Sequence, residues 1–295
     1  QQMIMAAGGL DQYLVANSLR FNDDDTAYLS RTPSSASNRT TWSWSSWVKR
    51  GKLDGTFGLI QCGPDGQDQF RILWASNGEL RILDEVTGVA GYSVQLITSQ
   101  RFRDPSAFFH LVVVYDSGQN TSSDRVKLYV NGEEVTAFST STYPSQSHAA
   151  NINTAESTVI GAGDSGPGYL LSGYLADIHL VDGTALDPTS FGETNATTGQ
   201  WIPKKYSGSH GTNGFHLKFD NTSDLGEDSA GSNDWTATNF STSAGAGNDV
   251  LTDSPTTYDD SGNGVGNYAT LNPLKDSPGA TFSNGNLKVV TGTVS

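Results

Sequence analysis

The sequence predicts an all-β protein, an antiparallel two-sheet sandwich with very little helix. Gly, Ser, Thr, Asn and Asp are abundant in the 295 residues, and these residue types favour turns over helices. Short apolar segments with alternating polarity recur along the chain, each about as long as a β-strand. An Asn131-Gly132 pair separates two such segments, and Asn-Gly supplies the two positive φ angles that a tight hairpin turn requires.

The first 16 residues precede the strand pattern and are expected to form a docking arm. They are mildly apolar, they are interrupted by Gly8-Gly9, and they are too few to bury a core of their own. We therefore expect residues 1–16 to become ordered only against a neighbouring protein.

A tryptophan-rich segment follows at 41–49. Strand alternation places Trp42 and Trp44 on one face and Trp47 on the other. Because the three rings lie in mid-strand, we expect them to pack inside the sandwich or between its layers.

Further strands are predicted by the same alternation. The segment 108–115 is apolar almost throughout, which is typical of a central strand that is buried on both faces. The expected buried centre contains Leu111, Val113, Leu128 and Ile178. Asp187-Pro188 predicts one helical turn at 187–191, since Asp caps helix starts and Pro suits the first helical position. The remaining predicted strands lie at 18–21, 27–29, 57–60, 70–74, 80–83, 125–130, 157–161, 169–182 and 215–220.

The pattern divides the chain into four parts. Residues 17–220 carry the strand pattern and are expected to form one jelly-roll domain. Residues 221–268 are polar with few large apolar side chains, which indicates an extended segment or a linker. Residues 269–295 regain a strand pattern around an Asn-Gly turn and are expected to begin a further β unit.

Charge and composition exclude several classes of partner. The formal net charge of −14 repels phosphate backbones, so nucleic acid is not expected as a ligand. The sequence contains no apolar run long enough for a membrane-spanning helix, so membrane insertion is not expected. The single Cys62 leaves no disulfide within the chain.

No catalytic motif is found. The chain lacks Gly-x-Ser-x-Gly, His-Glu-x-x-His and P-loop patterns, and its five histidines are scattered through the sequence. We therefore expect a protein that is not an enzyme.

Aromatic residues at strand ends or in turns are the candidates for carbohydrate binding, because binding sites combine exposed aromatic rings with a few fixed polar groups. The alternative is that these rings pack on neighbouring strands. The candidates are Trp74, Tyr92, Tyr143 and Tyr169.

Clustered carboxylates after the last predicted strand of the domain are the candidates for binding calcium, which takes six to eight oxygen ligands. The alternative is an ordinary solvated acidic loop. The candidates are Asp220, Asp224, Asp228 and Asp234.

The ordered set of segments 18–21, 42–49, 110–116, 126–135 and 171–180 resembles the laminin-G-like and pentraxin-like branch of the concanavalin A-like lectin/glucanase superfamily. The resemblance implies a jelly-roll sandwich with a concave face and rim loops that bind carbohydrate in many members, often with calcium. Glucanases of this superfamily carry their catalytic carboxylates as Glu-x-Asp-x-x-Glu on one strand, and this pattern is absent here.

The chain as a whole, including 201–206 followed by 215–220, resembles virion proteins of marine tailed phages. This resemblance implies a non-catalytic structural or adhesion protein on the particle surface: a tail fibre, spike or capsid decoration that contacts host-surface glycans or neighbouring subunits. The implied partners are other virion proteins, bound through residues 1–16, and further copies of the chain. The alternatives are a carbohydrate-binding module of a secreted bacterial protein and, less favoured, a glycan hydrolase.

Overall fold

A computed structural model describes residues 13–63, 68–163, 168–245, 247–256, 265–271 and 280–291. These residues form two large antiparallel sheets, which confirms the predicted jelly-roll sandwich. In chain order the strands are β1 (Ser18–Phe21), β2 (Tyr28–Arg31), β3 (Thr41–Arg50), β4 (Phe57–Cys62), β5 (Gln69–Trp74), β6 (Glu79–Glu85), β7 (Tyr92–Arg101), β8 (Phe109–Asp116), β9 (Val126–Val130), β10 (Glu133–Glu134), β11 (Phe138–Thr142), β12 (Thr158–Ile160), β13 (Gly173–Asp182), β14 (Gly192–Thr194), β15 (Trp201–Pro203), β16 (Phe215–Leu217), β17 (Thr236–Thr238), β18 (Val250–Leu251), β19 (Ala280–Ser283) and β20 (Lys288–Thr291).

Sheet I has the order β10-β9-β8-β3-β13-β1-β18, and β16 also pairs with β13. Sheet II has the order β11-β7-β6-β5-β4-β12-β2-β17. Two separate ribbons are formed by β14 with β15 and by β19 with β20. Among the described residues, helical structure is limited to three short 3₁₀ turns, and no helix there is long and apolar enough to cross a membrane.

The main core lies between the two sheets. The four residues predicted for its centre, Leu111, Val113, Leu128 and Ile178, are all buried in it. Trp42 and Trp44 also point into this core. Trp47 belongs to a separate apolar cluster, as strand alternation predicts.

The local turn predictions are also confirmed. Asn131 and Gly132 have φ angles of 49° and 84° and join β9 to β10. A 3₁₀ turn covers Pro188–Ser190, and the Asp187 carboxylate caps it by accepting the Thr189 N–H at 2.8 Å.

The central strands of sheet I are buried on both faces, which distinguishes this sheet from one in an ordinary two-layer sandwich. Every residue of β13 is buried, as is every residue of β3 after Thr41. The face of sheet I that points away from the main core is covered by other segments of the same chain. Phe191, which follows β13, packs on this face against Val112 and Val181.

The start of the described chain also lies on sheet I. Val15 is only 4% exposed, its N–H donates to the Thr256 hydroxyl at 2.8 Å, and that hydroxyl donates back to the Val15 carbonyl. The Tyr13 hydroxyl donates to Asp177 at 2.8 Å. The expectation that residues 1–16 need a neighbouring protein is therefore wrong for residues 13–16, because their partners lie in their own chain. The rest of that arm lies outside the described residues.

The polar segment after residue 220 adds an edge strand to each sheet, β17 to sheet II and β18 to sheet I. Two buried ion pairs attach it to sheet I. Arg20 contacts Asp249 at 2.9 Å, and Lys49 contacts Asp253 at 2.9 Å. The β19–β20 ribbon is also in contact with the sandwich, because the Gly285 carbonyl accepts the Tyr174 hydroxyl at 2.5 Å.

Candidate functional site

The outer face of sheet II carries partly exposed polar side chains, unlike the covered face of sheet I. In β6 and β7, buried core positions alternate with partly exposed ones. Residues that pair directly across strands share a face, and the register aligns Arg71 with Leu83 and Gln95, and Leu73 with Arg81 and Ile97. Two rows of side chains therefore cross this face side by side.

Ion pairs hold the polar groups of this face in place. One Glu85 oxygen accepts the Gln69 amide at 2.9 Å and the Arg71 guanidinium at 3.2 Å. Arg81 contacts Glu79 at 3.3 Å. The Nε atoms of both arginines and the Gln69 carbonyl oxygen are buried without a hydrogen-bond partner. The polar groups of this face are thus held in place, and three of their buried atoms are not satisfied by its own side chains.

Two of the predicted aromatic residues flank this face. A bulge in β7 pairs Tyr92 with Glu85, so the partly exposed Tyr92 lies on the outer face beside Glu85. Tyr169 is 40% exposed. Its ring and the side-chain oxygen of Gln61 both lie beside Gly163, because each is within 3.4 Å of the position that a Cβ atom on this glycine would occupy. Gln61 lies on β4, three strands from β7, so the two ends of the face are about 14 Å apart.

The other two aromatic candidates lie elsewhere. Trp74 is fully buried in the main core, where its ring contacts Phe102 and Phe109, so it presents no surface to a sugar. Its position at a strand end suggested exposure, but strand alternation turns it inward with Phe70 and Ile72. Tyr143 follows β11 and packs partly buried against the main core.

The four candidate calcium ligands are engaged in local hydrogen bonds. The Asp228 carboxylate accepts the backbone N–H groups of His216, Ala230 and Asn233. Asp224 and Asp234 accept N–H groups of their own loop, and Asp220 is paired with Lys218. Each of the four carboxylates therefore already has a donor or a cation as partner, and calcium binding by this loop stays a prediction.

Three histidines that are scattered in the sequence meet in space. His179, His210 and His216 lie on the covered face of sheet I, beside Asp177. Burial lowers the pKa of His179 and lowers that of His210 to about 4, so both rings are neutral at pH 7. Burial alone would raise the pKa of Asp177, but His179 and His216 outweigh it and hold the pKa well below its usual range.

This cluster was not predicted from the sequence, because its three members come from β13, from a loop and from β16. The alternation in β13 places His179 on the face of sheet I away from the main core, because its neighbours Ile178 and Leu180 lie in that core. This was the local signal that could have indicated the cluster. The pairing of β13 with β16, which brings His179 and His216 together, cannot be read from the local pattern.

A family model described as the concanavalin A-like lectin/glucanases superfamily matches residues 22–191, more than half of the chain. The chain belongs to this superfamily. The matched region contains β2 to β13 and most of the two sheets, whereas His210, His216 and the segments covering sheet I after Phe191 lie beyond it. Comparison with curated protein sequences found no significant match.

Several solved structures are similar to this chain at low sequence identity. A heptameric SAP-like pentraxin from Limulus polyphemus is 16% identical, with a TM-score of 0.42 over 59% of this chain and 79% of the pentraxin. A putative carbohydrate binding protein from Bacteroides ovatus is 12% identical, with a TM-score of 0.44 over 76% of this chain and 57% of the other. Domains LG4-5 of the mouse laminin alpha1 chain are 10% identical, with a TM-score of 0.42 over 70% and 47%, respectively.

Proposed function

We propose that this chain is a non-catalytic glycan-binding protein and that the outer face of sheet II is its ligand face. The observation that carries the proposal is the placement of Tyr92 and Tyr169 on the β7 side and the β4 side of a face that carries fixed polar groups. Sugar sites combine aromatic surface with a few oriented hydrogen-bonding groups. Arg71 and Arg81 supply the donors, and their ion pairs hold them in one geometry.

The expected ligand is a neutral oligosaccharide. The face between β7 and β4 is about 14 Å wide, which is longer than a single sugar ring. The net charge of −14 disfavours polyanionic glycans, because the field of the whole chain repels them.

The absence of catalysis is part of the proposal. Glu79 and Glu85 are the carboxylates of β6 on this face, and each is paired with an arginine. A glycosidase needs one carboxyl group with a raised pKa to donate a proton, and a neighbouring arginine opposes such a rise. A glycan that binds should therefore be recovered intact after long incubation.

A glycan array followed by calorimetry on the best neutral oligosaccharide tests the ligand face. Arg81→Ala and Tyr92→Ala should each weaken binding at least tenfold, since each removes an oriented contact. Lys127→Ala is the matched control, because it removes a partly exposed cation from β9 of sheet I. Binding that is unchanged in both sheet II variants would refute this ligand face, and new reducing ends would refute the absence of catalysis.

We also propose that the protein acts on the surface of a phage particle, as a tail fibre, spike or capsid decoration, and that it assembles with copies of itself. The support is the resemblance of the whole sequence to virion proteins of marine tailed phages. Mass spectrometry of purified particles and labelling with antibodies against this chain test it. Absence of the chain from particles that contain the other structural proteins would refute it.

A further inference from the structure

Three imidazoles converge on the face of sheet I that lies away from the main core. His179 of β13 pairs directly with His216 of β16, and their rings stack at 3.8 Å between centroids. His210, from the loop before β16, places its Nε2 atom 3.0 Å from Nδ1 of His179. One ring nitrogen from each of the three residues lies within 4.8 Å of the others.

A carboxylate lies behind two of these rings. β13 has a bulge between Ala176 and His179, and Asp177 there has a φ angle of 48°, which turns it to the same face as His179. One oxygen of Asp177 is 2.7 Å from Nε2 of His216, and the other is 3.4 Å from Nε2 of His179. These contacts use Nε2 of both rings and leave Nδ1 as the ligand atom of each, and Nδ1 of His179 shares a hydrogen bond with His210 in this structure.

The hydrogen bonding of His179 is incomplete. Its Nε2 atom is buried and makes no hydrogen bond, although it lies near the Asp177 carboxylate. A neutral imidazole carries one proton, and the Nδ1 atom of His179 shares a single hydrogen bond with His210. A cation bound to Nδ1 would fix the proton on Nε2, directed at Asp177, which is the usual arrangement of metal-binding histidines.

We propose that His179, His210 and His216 bind a divalent transition-metal ion, with zinc as the best match, and that Asp177 orients the ligands from behind. Neutral imidazoles are ligands of zinc and its neighbours, not of calcium. Zinc–nitrogen bonds of about 2.0–2.1 Å in a tetrahedron place two nitrogens about 3.3 Å apart. The 3.0 Å between His179 and His210 is close to this value, and a ring nitrogen of His216 lies within 4.8 Å of both.

The site is accessible from solvent. His210 and His216 line a cleft of about 450 Å³, together with Tyr13 and Tyr206. Three protein ligands leave one position of a tetrahedral zinc ion open, and the cleft gives water or a small ligand access to that position. The ion would also fasten the loop of His210 to sheet I.

Zinc binding to the tag-free, full-length chain tests the proposal. Calorimetry should give one zinc ion per chain, and cobalt should give the intense visible absorption of a tetrahedral site. His210→Gln should weaken zinc binding at least tenfold, and His216→Asn should do the same. His148→Gln is the matched control, because that histidine is paired with Asp84 away from the cluster.

Circular dichroism and thermal unfolding without metal show whether each variant is folded. Zinc should raise the unfolding midpoint of the wild type and of His148→Gln, and should leave that of His210→Gln unchanged. No binding of zinc or cobalt to the folded wild type would overturn the proposal. Equal zinc affinity of the wild type and of both cluster variants would also overturn it.

Discussion

The indole N–H of Trp201 donates a hydrogen bond to Nδ1 of His110 over 3.0 Å. Since Nδ1 accepts, the proton of the neutral ring lies on Nε2, which donates to the Ser45 hydroxyl at 2.8 Å. The Trp47 ring stacks on the other side of the imidazole at 4.7 Å. Trp201 therefore joins a segment beyond the family match to the middle of sheet I, through one buried neutral histidine.

His110 should make the stability of the protein depend on pH. Burial lowers the pKa of His110 to about 3, whereas a histidine in an unfolded chain has a pKa of about 6.5. Between these values the unfolded state binds a proton that the folded state does not, so stabilisation is full above pH 6.5 and is lost as pH falls toward 3. The contribution to the slope is at most about 1.4 kcal/mol per pH unit.

Urea unfolding of the wild type and of His110→Gln at several pH values between 6 and 4 measures this slope. The variant should be less stable at pH 7, because it loses the ring between Trp47 and Trp201, but its stability should fall less steeply with acid. Parallel pH curves for the two proteins would contradict the assignment of this pH dependence to His110.

The turn at Gly132 should be unusually intolerant of a side chain. Its φ angle of 84° alone costs a non-glycine residue about 1–2 kcal/mol, and a Cβ atom there would also lie 2.6 Å from the Trp201 ring. Gly132→Val should therefore lower the unfolding free energy by more than that backbone cost. Gly88→Val is the control, with a similar φ angle of 82° and nothing within 4 Å. Equal losses in the two variants would show that the Trp201 contact does not matter.

The fold was predictable because its determinants are local. The Asn131-Gly132 turn, the alternation around Trp42 and the Asp187 cap each depend on residues that are close in sequence, and each was confirmed. The covering of sheet I was not predictable in this way. It depends on contacts such as the one between Lys49 and Asp253, which are more than 200 residues apart in the sequence. Both residues are polar, and local alternation would place them in solvent.

The candidate site was predicted only in part, for a related reason. Tyr92 reaches the outer face of sheet II through a bulge, and Asp177 reaches the histidine cluster through another. A bulge changes which face of the sheet a side chain occupies, and no residue type in these two segments indicates that a bulge is present. Trp74 illustrates the opposite error, because its place at the end of a strand suggested exposure where alternation keeps it in the core.

Residues 13–16 should stabilise the isolated chain. A chain that begins at residue 13 and one that begins at residue 17 differ only by this segment, which buries Val15 and bonds Tyr13 to Asp177. Burial of one valine and one hydrogen bond to a charged group together contribute about 3–6 kcal/mol. Urea unfolding of the two chains should show a difference of this size. Equal midpoints would mean that the segment lies on the surface without stabilising it.

The ion pair of Lys49 with Asp253 should be essential for attaching the polar segment to sheet I. The Lys49 side chain is fully buried, and that of Asp253 is 9% exposed, at 2.9 Å from it. Burial raises the pKa of Asp253, although Lys49 opposes this rise. Lys49→Met removes the compensating charge and should lower the unfolding free energy by about 3–5 kcal/mol, because it leaves a buried carboxylate unpaired.

Lys52→Ala is the matched control, since Lys52 pairs with Asp23 and Asp24 with 30% of its side chain exposed. It should cost no more than about 1 kcal/mol, because solvent screens exposed ion pairs. Adding Asp253→Asn to Lys49→Met should recover part of the lost stability, since it removes the charge that the methionine leaves unpaired. If Lys49→Met costs no more than Lys52→Ala, or if the second substitution recovers nothing, the pair does not hold the segment on the sheet.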